Sequence, residues 1–402
     1  MSTRGNIATG VGLCFLVAVL EGFDIQAMGV AAPRIAPQFG LDAQQMGWVF
    51  SISNIGLVIG ASLGGWLADR SGRKPVLLAA VALFGCFTVS TALAGNYNAL
   101  LAMRFCAGLG FGAALPNMMA IAAEIGRPEK AASTAAAMFC GMPFGGGLAA
   151  LTTQVLPADF DWRTLFLIGG TLPILLIPAL LRWMPETLVR GASTRREGTS
   201  VFHALFGEGR AIPTLLLWVA FFPTLLILYL FLNWLPTLVI AKGLERAVAP
   251  QASLAFNFGS VAGALLCGWL VDRFRFRWPL TLAYAFLIAT LVMLSASNGH
   301  AMLIALSAAV GFCLLGANYA LYGVAPAYYP LAIRGTGSGA SIAVGRVGSI
   351  VGPLLAGMLI RGGTSAAGVV QYMIPFAAVS CVAVFALSFR STASERERTS
   401  AP

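Results

Sequence analysis

Twelve apolar runs, most of them about 20 residues long and separated by short polar loops, dominate this sequence. A bilayer core about 30 Å thick is crossed by roughly 20 helical residues rising 1.5 Å each. The runs are Gly10–Pro33, Met46–Leu67, Val76–Leu93, Ala99–Ala123, Ala131–Leu151, Leu165–Leu181, Ile212–Ile240, Ala252–Val271, Leu280–Ser297, Ala301–Pro326, Gly337–Ile360 and Val369–Phe389. Of the 402 residues 58% are hydrophobic and 10% charged, against about 25% charged in soluble domains. A water-soluble fold of this length has too much surface to hide so many apolar side chains, so lipid must be the solvent for most of it. Lipid offers backbone groups no partners, and helices satisfy theirs internally. The expected class is an all-α membrane protein of twelve transmembrane helices. The 46 glycines and 20 prolines fit this, because both are tolerated in membrane helices.

One loop is long and polar. Residues 185–210 carry Arg190, Arg195, Arg196, Glu197 and Glu208, and they divide the chain into six-helix bundles at 1–184 and 211–402. With both termini placed in the cytoplasm, eighteen Lys and Arg residues fall inside and five outside, while Arg104 and Arg346 lie within spans. The positive-inside rule therefore predicts a multi-pass protein of a bacterial inner membrane with cytoplasmic termini. The net charge of +10 is spread over these loops, so no nucleic-acid partner is expected. The seven cysteines all sit in apolar runs, outside any C-x-x-C pair, and read as small hydrophobes. The first run is too long for a signal peptide and carries acids. No G-x-x-x-x-G-K-[ST] or H-E-x-x-H motif occurs, and the two histidines, His203 and His300, lie in opposite-side loops. An enzyme, a metal site and a bound cofactor are not expected.

The halves echo each other. Gly65-Trp66-Leu67-Ala68-Asp69-Arg70 ends span 2, and Gly268-Trp269-Leu270-Val271-Asp272-Arg273 ends span 8, 203 positions later. Gly141-Met142-Pro143 in span 5 answers Gly348 to Pro353 in span 11 more loosely. Two parallel repeats related by an axis along the membrane normal are expected.

Gly65-x-x-x-Asp69-Arg70-x-Gly72-Arg73-Lys74 resembles the signature between spans 2 and 3 of major facilitator transporters. Glu21-Gly22-Phe23-Asp24 in span 1 is similar to the Asp-Gly-x-Asp of the aromatic acid:proton symporters. Arg104-Phe105-x-x-Gly108-x-Gly110-x-Gly112-Ala113-x-x-Pro116-Asn117 in span 4 resembles that family too, as do Arg334-Gly335-Thr336-Gly337 and Gly345-Arg346-x-Gly348-x-x-x-Gly352-Pro353 around span 11. The stretch Gly12 to Ala18 and Gln45-Met46-Gly47-Trp48 look most like the 3-hydroxyphenylpropionate branch, which agrees with Glu21 standing where the wider family has Asp. The resemblance covers nearly the whole chain. It implies two pseudo-symmetric six-helix bundles with substrate between them. It also implies proton-coupled import of small aromatic carboxylates, phenylpropionates or hydroxybenzoates, by alternating access, with protons and lipid as the other partners and a monomer as the unit.

Ionisable groups inside a membrane are costly and mark function. Here they are Glu21, Asp24, Arg104 and Arg346, with Glu124 at a helix end. Glu21 and Asp24 share a face near the midplane. Two carboxyls in a poorly solvated site disfavour double ionisation, so they titrate as a unit and can carry a proton. Arg104, about six residues into span 4, is placed to meet Asp24 across the two helices. Two readings stand: a structural ion pair, or an arginine that leaves a protonated Asp24 to hold the substrate carboxylate. The resemblance favours the second. Arg346 wants an anion, either substrate or an acid of the other half, or else helix carbonyls.

Aromatic walls for the substrate ring are drawn from Trp48, Phe144, Tyr229, Trp234, Tyr319 and Tyr322. Partners for a ring hydroxyl are drawn from Asn117, Asn233, Asn257 and Asn318, with Asn233 and Asn318 foremost. Asp69, Arg70, Arg73 and Glu124 are expected to gate: by analogy with the family, Asp69 meets the start of span 11 while Arg70 and Arg73 pair with Glu124 or Glu129. The rival reading on the same fold is a drug or metabolite:proton antiporter; a membrane enzyme and a non-transporting sensor are weaker rivals.

Overall fold

A computed structural model describes residues 3–125, 138–157, 159–184, 200–274, 276–330 and 333–393. In order the helices are α1 (Thr3–Phe39), α2 (Ala43–Ser71), α3 (Arg73–Ala92), α4 (Tyr97–Ile125), α5 (Gly141–Val155), α6 (Arg163–Trp183), the short α7 (Val201–Phe206), α8 (Ala211–Ala241), α9 (Val248–Phe274), α10 (Arg277–Ala296), α11 (His300–Val324), α12 (Arg334–Arg361) and α13 (Ala366–Leu387). A 3-10 turn, Ala325–Tyr328, follows α11. Among the described residues eleven helices are long and apolar enough to cross a membrane. Expected span 5 shows 15 residues as α5; its first residues, 131–137, lie outside the described ones, as do Arg127, Glu129, Lys130, Arg275, Arg396, Arg398 and linker residues 185–199.

Several helices outrun their apolar stretches. α1 continues through Pro33 and Pro37 to Phe39, because a packed membrane helix can re-satisfy the backbone groups that proline frees. α2 begins at a capping box. Asp42 Oδ1 accepts from the Gln45 amide at 2.7 Å and Gln45 Oε1 accepts from the Asp42 amide at 2.9 Å, which satisfies two donors at the helix start. α2 ends at Gly72, whose φ of 90° suits glycine alone. That explains the glycine two residues after Asp69-Arg70.

The repeat is built into the helix contacts. Gly56 and Gly60 of α2 lie so close to the carbonyls of Phe105 and Leu109 on α4 that a Cβ would collide. Gly259 and Gly263 of α9 lie the same way on Ala308 and Phe312 of α11, each 203 positions on. At the next turn the small residue changes helix: Gly64 faces Ala113, whereas Cys267 faces Gly316. Gly145 of α5 abuts the Val19 carbonyl of α1, and Gly348 of α12 abuts Phe222 of α8, again 203 apart. Without a hydrophobic drive between helices in lipid, such backbone-close contacts supply the packing. Outward faces keep large apolar side chains exposed, such as Leu175 and Val382, both 67%, as lipid-facing helices do.

The helices group into two compact units. One is Met1–Ala192, Leu232–Asn257 and Pro353–Gly363; the other is Ser193–Phe231, Phe258–Gly352 and Thr364–Pro402. The first unit thus takes in the end of α8, the start of α9 and the end of α12. Within it, Trp234 Nε1 donates to the Pro353 carbonyl at 2.9 Å and its ring meets Phe50 edge-on at 5.2 Å. Gly357 lies on the Ala43 backbone. Arg361 donates to Gln44 and reaches Asp42 at 3.7 Å.

A buried ion pair and its hydroxyl partners

In the first unit the middle of α1 is buried on every side. Glu21 and Asp24 are wholly inaccessible, and Gln26 and Arg104 are 1% exposed. α1 and α4 bring Asp24 and Arg104 together as their depths predict: Nη1 of Arg104 stands 2.8 Å from Oδ2 and 3.0 Å from Oδ1 of Asp24. A charge this far from water is tolerable only with a partner. A single amino group covers both carboxylate oxygens, so this is not the two-pronged arginine grip. Arg104 Nε donates to Ser53 Oγ on α2 at 3.2 Å, and the guanidinium lies 5.7 Å from the Phe166 ring of α6. Among the described residues Nη2 makes no hydrogen bond, which leaves one prong open to a further anion. Asp24 Oδ1 also accepts from the Thr88 hydroxyl of α3 at 2.9 Å.

On the same stretch of α1, Gln26 serves a second network. Its Nε2 donates to the Leu232 carbonyl at 3.2 Å, and its Oε1 accepts from Asn257 Nδ2 at 3.0 Å. Asn257 also donates to the Ser253 carbonyl at 2.8 Å. The expected hydroxyl partner Asn257 is thus engaged inside the protein, as is Asn117, which donates to the Ala113 carbonyl at 2.7 Å. Asn233 is buried. Trp234, expected as a ring wall, gives its indole N–H to Pro353. Trp48 and Phe144 are exposed, and Phe144 lies 6.4 Å from the Phe15 ring.

In the second unit Arg346 is half-buried on α12 and donates from Nη1 to the Tyr229 hydroxyl of α8 at 2.8 Å. One ring contact links α8 to α11, Phe221 to Tyr322 at 5.5 Å, and along α11 the Tyr322 ring meets that of Tyr319 at 6.1 Å. Beside Tyr319, Asn318 is 4% exposed and its Oδ1 has no hydrogen-bond partner among the described residues. A buried acceptor left unpaired costs about 1–3 kcal/mol, a cost that a donor on a bound molecule would relieve. Displaced by 203 positions, Glu21, Asp24 and Arg104 become Thr224, Ile227 and Ser307, so the ion pair belongs to the first half alone.

At the other end of α2, Asp69 and Arg70 are exposed and Arg73 is half-buried. Arg70 lies 3.9 Å over the Trp66 ring, and Lys74 donates to the Leu181 carbonyl at 2.9 Å. The side chain of Glu124 lies outside the described residues. The described cysteines are free, and no described cluster of His, Cys, Asp or Glu could hold a metal. Charge alone had pointed to Asp24 and Arg104. Ser53, Thr88 and Gln26 were missed, because an uncharged polar residue in a span carries no comparable signal.

Residues 14–296 and 249–402 match the sequence profile of the Major Facilitator Superfamily. Over 97% of this chain and 96% of the relative, 41% of residues are identical to the 3-(3-hydroxy-phenyl)propionate transporter of Escherichia coli K12. The 4-hydroxybenzoate transporter PcaK of Pseudomonas aeruginosa is 35% identical over 92% and 90% of the two chains, and a gallate transporter of Pseudomonas putida 33% over 87% and 84%. Among solved structures, the xylose transporter XylE of E. coli in a partially occluded inward-open conformation superposes with a TM-score of 0.76, at 17% identity over 97% of this chain and 99% of that one. A bacterial homologue of the human lysosomal transporter Spinster gives 0.75 at 18% identity, over 96% and 97%.

Proposed function

Because the chain belongs to the major facilitator superfamily, we propose that it is a proton-coupled symporter that imports small aromatic carboxylates by alternating access, 3-hydroxyphenylpropionate or a close phenylpropionate or hydroxybenzoate first among them. It would work as a monomer in a bacterial inner membrane with both termini cytoplasmic. The 41% relative supports the substrate class. The observation that carries the mechanism is the Asp24–Arg104 pair, sealed from water and held by one prong of the arginine.

A proton entering the Glu21–Asp24 pair neutralises Asp24 and weakens its hold on Nη1. The guanidinium stays anchored through Nε on Ser53 and presents Nη1 and Nη2 to the incoming carboxylate, the geometry of a bidentate pair. Substrate anion and protein carboxylate thus compete for one buried cation, and the substrate enters only with a proton. Arg346, steadied by Tyr229, is a second anion contact. Tyr319 offers a ring face, and Asn318 Oδ1 an acceptor for a ring hydroxyl. Asn233 and Trp234 are the remaining proposed substrate contacts. The packing of Trp234, Pro353, Gly357 and Arg361 on α2 serves as the extracellular seal, while Asp69, Arg70, Arg73 and Glu124 serve the cytoplasmic one. A monovalent anion with one proton crosses without net charge; a second proton would add about 2.3 kcal/mol per 100 mV of membrane potential.

Uptake of a panel of labelled aromatic acids by expressing cells, with and without an uncoupler, tests this reading. Accumulation of a phenylpropionate or hydroxybenzoate that collapses with the uncoupler is expected. Uptake indifferent to the uncoupler would refute proton coupling, and substrate counterflow against protons in everted vesicles would mark the antiporter instead.

A further inference from the structure

We propose that Thr88 is a positioning residue for the proton step, setting the pH at which Asp24 exchanges its proton; this rests on the symport reading above. The hydroxyls beside it on α3 behave differently. Ser90 Oγ donates to the Cys86 carbonyl and Thr91 Oγ1 to the Phe87 carbonyl, both four residues back on their own helix, at 2.9 and 2.8 Å. That is the usual fate of a hydroxyl in a membrane helix. Thr88 makes no such bond among the described residues and sends its proton across to Asp24 Oδ1 at 2.9 Å, with both residues wholly buried. Its methyl lies 3.8 Å from where a Cβ on Gly169 of α6 would stand, while the hydroxyl points to Asp24.

Among the described residues the charged neighbours of Asp24 are Arg104 from α4 and, one turn back on its own helix, Glu21. α2 supplies Ser53, α6 Phe166, and α5 the glycine backbone at Gly145 against Val19 and Phe23. Arg104 is held by Asp24 and will be shared with substrate, so its contribution changes during the cycle. Among the described residues Thr88 hydrogen-bonds from its side chain to Asp24 alone. A hydroxyl can donate to an ionised carboxylate and accept from a protonated one. Thr88 therefore serves both protonation states without moving: when Asp24 takes a proton, the acid O–H donates to Oγ1 and the Thr88 proton turns to the carbonyl of Phe84, four residues back. A hydrogen bond to the charged form is the stronger of the two, so the hydroxyl as a whole favours the ionised acid and helps the proton leave.

The test is the pH profile of initial uptake in proteoliposomes. Thr88→Val keeps the shape and removes the hydroxyl, so Asp24 should hold its proton more tightly. The pH at which uptake falls to half should then move up by about one unit, a tenfold gain in proton affinity. Thr88→Ser keeps the hydroxyl and should restore the wild-type midpoint. A purely structural role would lower the amount of active protein and the maximal rate and leave the midpoint in place. If Thr88→Val inserts poorly, Thr88→Ala takes its place with the same expected shift. A midpoint that stays put or moves down overturns the proposal while leaving symport intact. Wild-type uptake that ignores both external pH and an uncoupler overturns the symport reading, and this proposal with it.

Discussion

Asp24→Asn and Arg104→Gln, alone and together, separate a structural ion pair from a working one. The two side chains are 0% and 2% exposed and meet at 2.8 Å. Removing one partner strands a charge in a low-dielectric interior, which costs about 3–5 kcal/mol, whereas replacing both partners is close to neutral. Each single variant should therefore lose stability on that scale, and the double variant should regain most of it as a coupling of opposite sign. The assay is the fraction of protein that stays monodisperse in detergent after heating, read beside proton-driven accumulation in vesicles. The account expects the double variant to be nearly as heat-resistant as the wild type and yet unable to accumulate substrate. A double variant that transports at the wild-type level would reduce the pair to scaffolding. Single variants as stable as the wild type would refute the burial argument itself.

Two other outcomes follow from the contacts. Tyr229→Phe removes the acceptor 2.8 Å from Arg346 Nη1; losing about 1 kcal/mol of positioning should raise KM about fivefold with little change in maximal rate, and an unchanged KM would sever Arg346 from the substrate. Gly145→Leu and Gly348→Leu drive a side chain into a facing carbonyl, so neither should yield folded protein in the membrane, whereas Gly65, with open space around its Cβ position, should accept alanine with normal expression.

What the sequence revealed tracks how costly each feature is to misplace. An apolar run of membrane length has few alternatives, and a charge in lipid has fewer, so the spans and the meeting of Asp24 with Arg104 were both legible. The glycine contacts repeat at the offset found in Gly65 to Arg70 and Gly268 to Arg273 because each half stacks the same helix pairs through the same close approaches. The course of α1 past Pro33 was not legible, since it depends on neighbours rather than on the proline. Nor was Thr88: Ser90, Thr91 and Thr152 all bond their own helix, and only tertiary packing shows which hydroxyl turns outward. Gln26 hid for a related reason. Its partners are Asn257 and the carbonyl of Leu232, more than 200 residues away, and no local pattern foretells such a bond.

The central claim is that one buried carboxylate hands a proton across with each organic anion. Proteoliposomes loaded with a pH-sensitive dye and given an external pulse of aromatic acid measure this directly. The account predicts that the lumen acidifies faster than in protein-free vesicles, and that Asp24→Asn vesicles match the protein-free rate. Labelled acid entering through the wild-type protein without that extra acidification would contradict it.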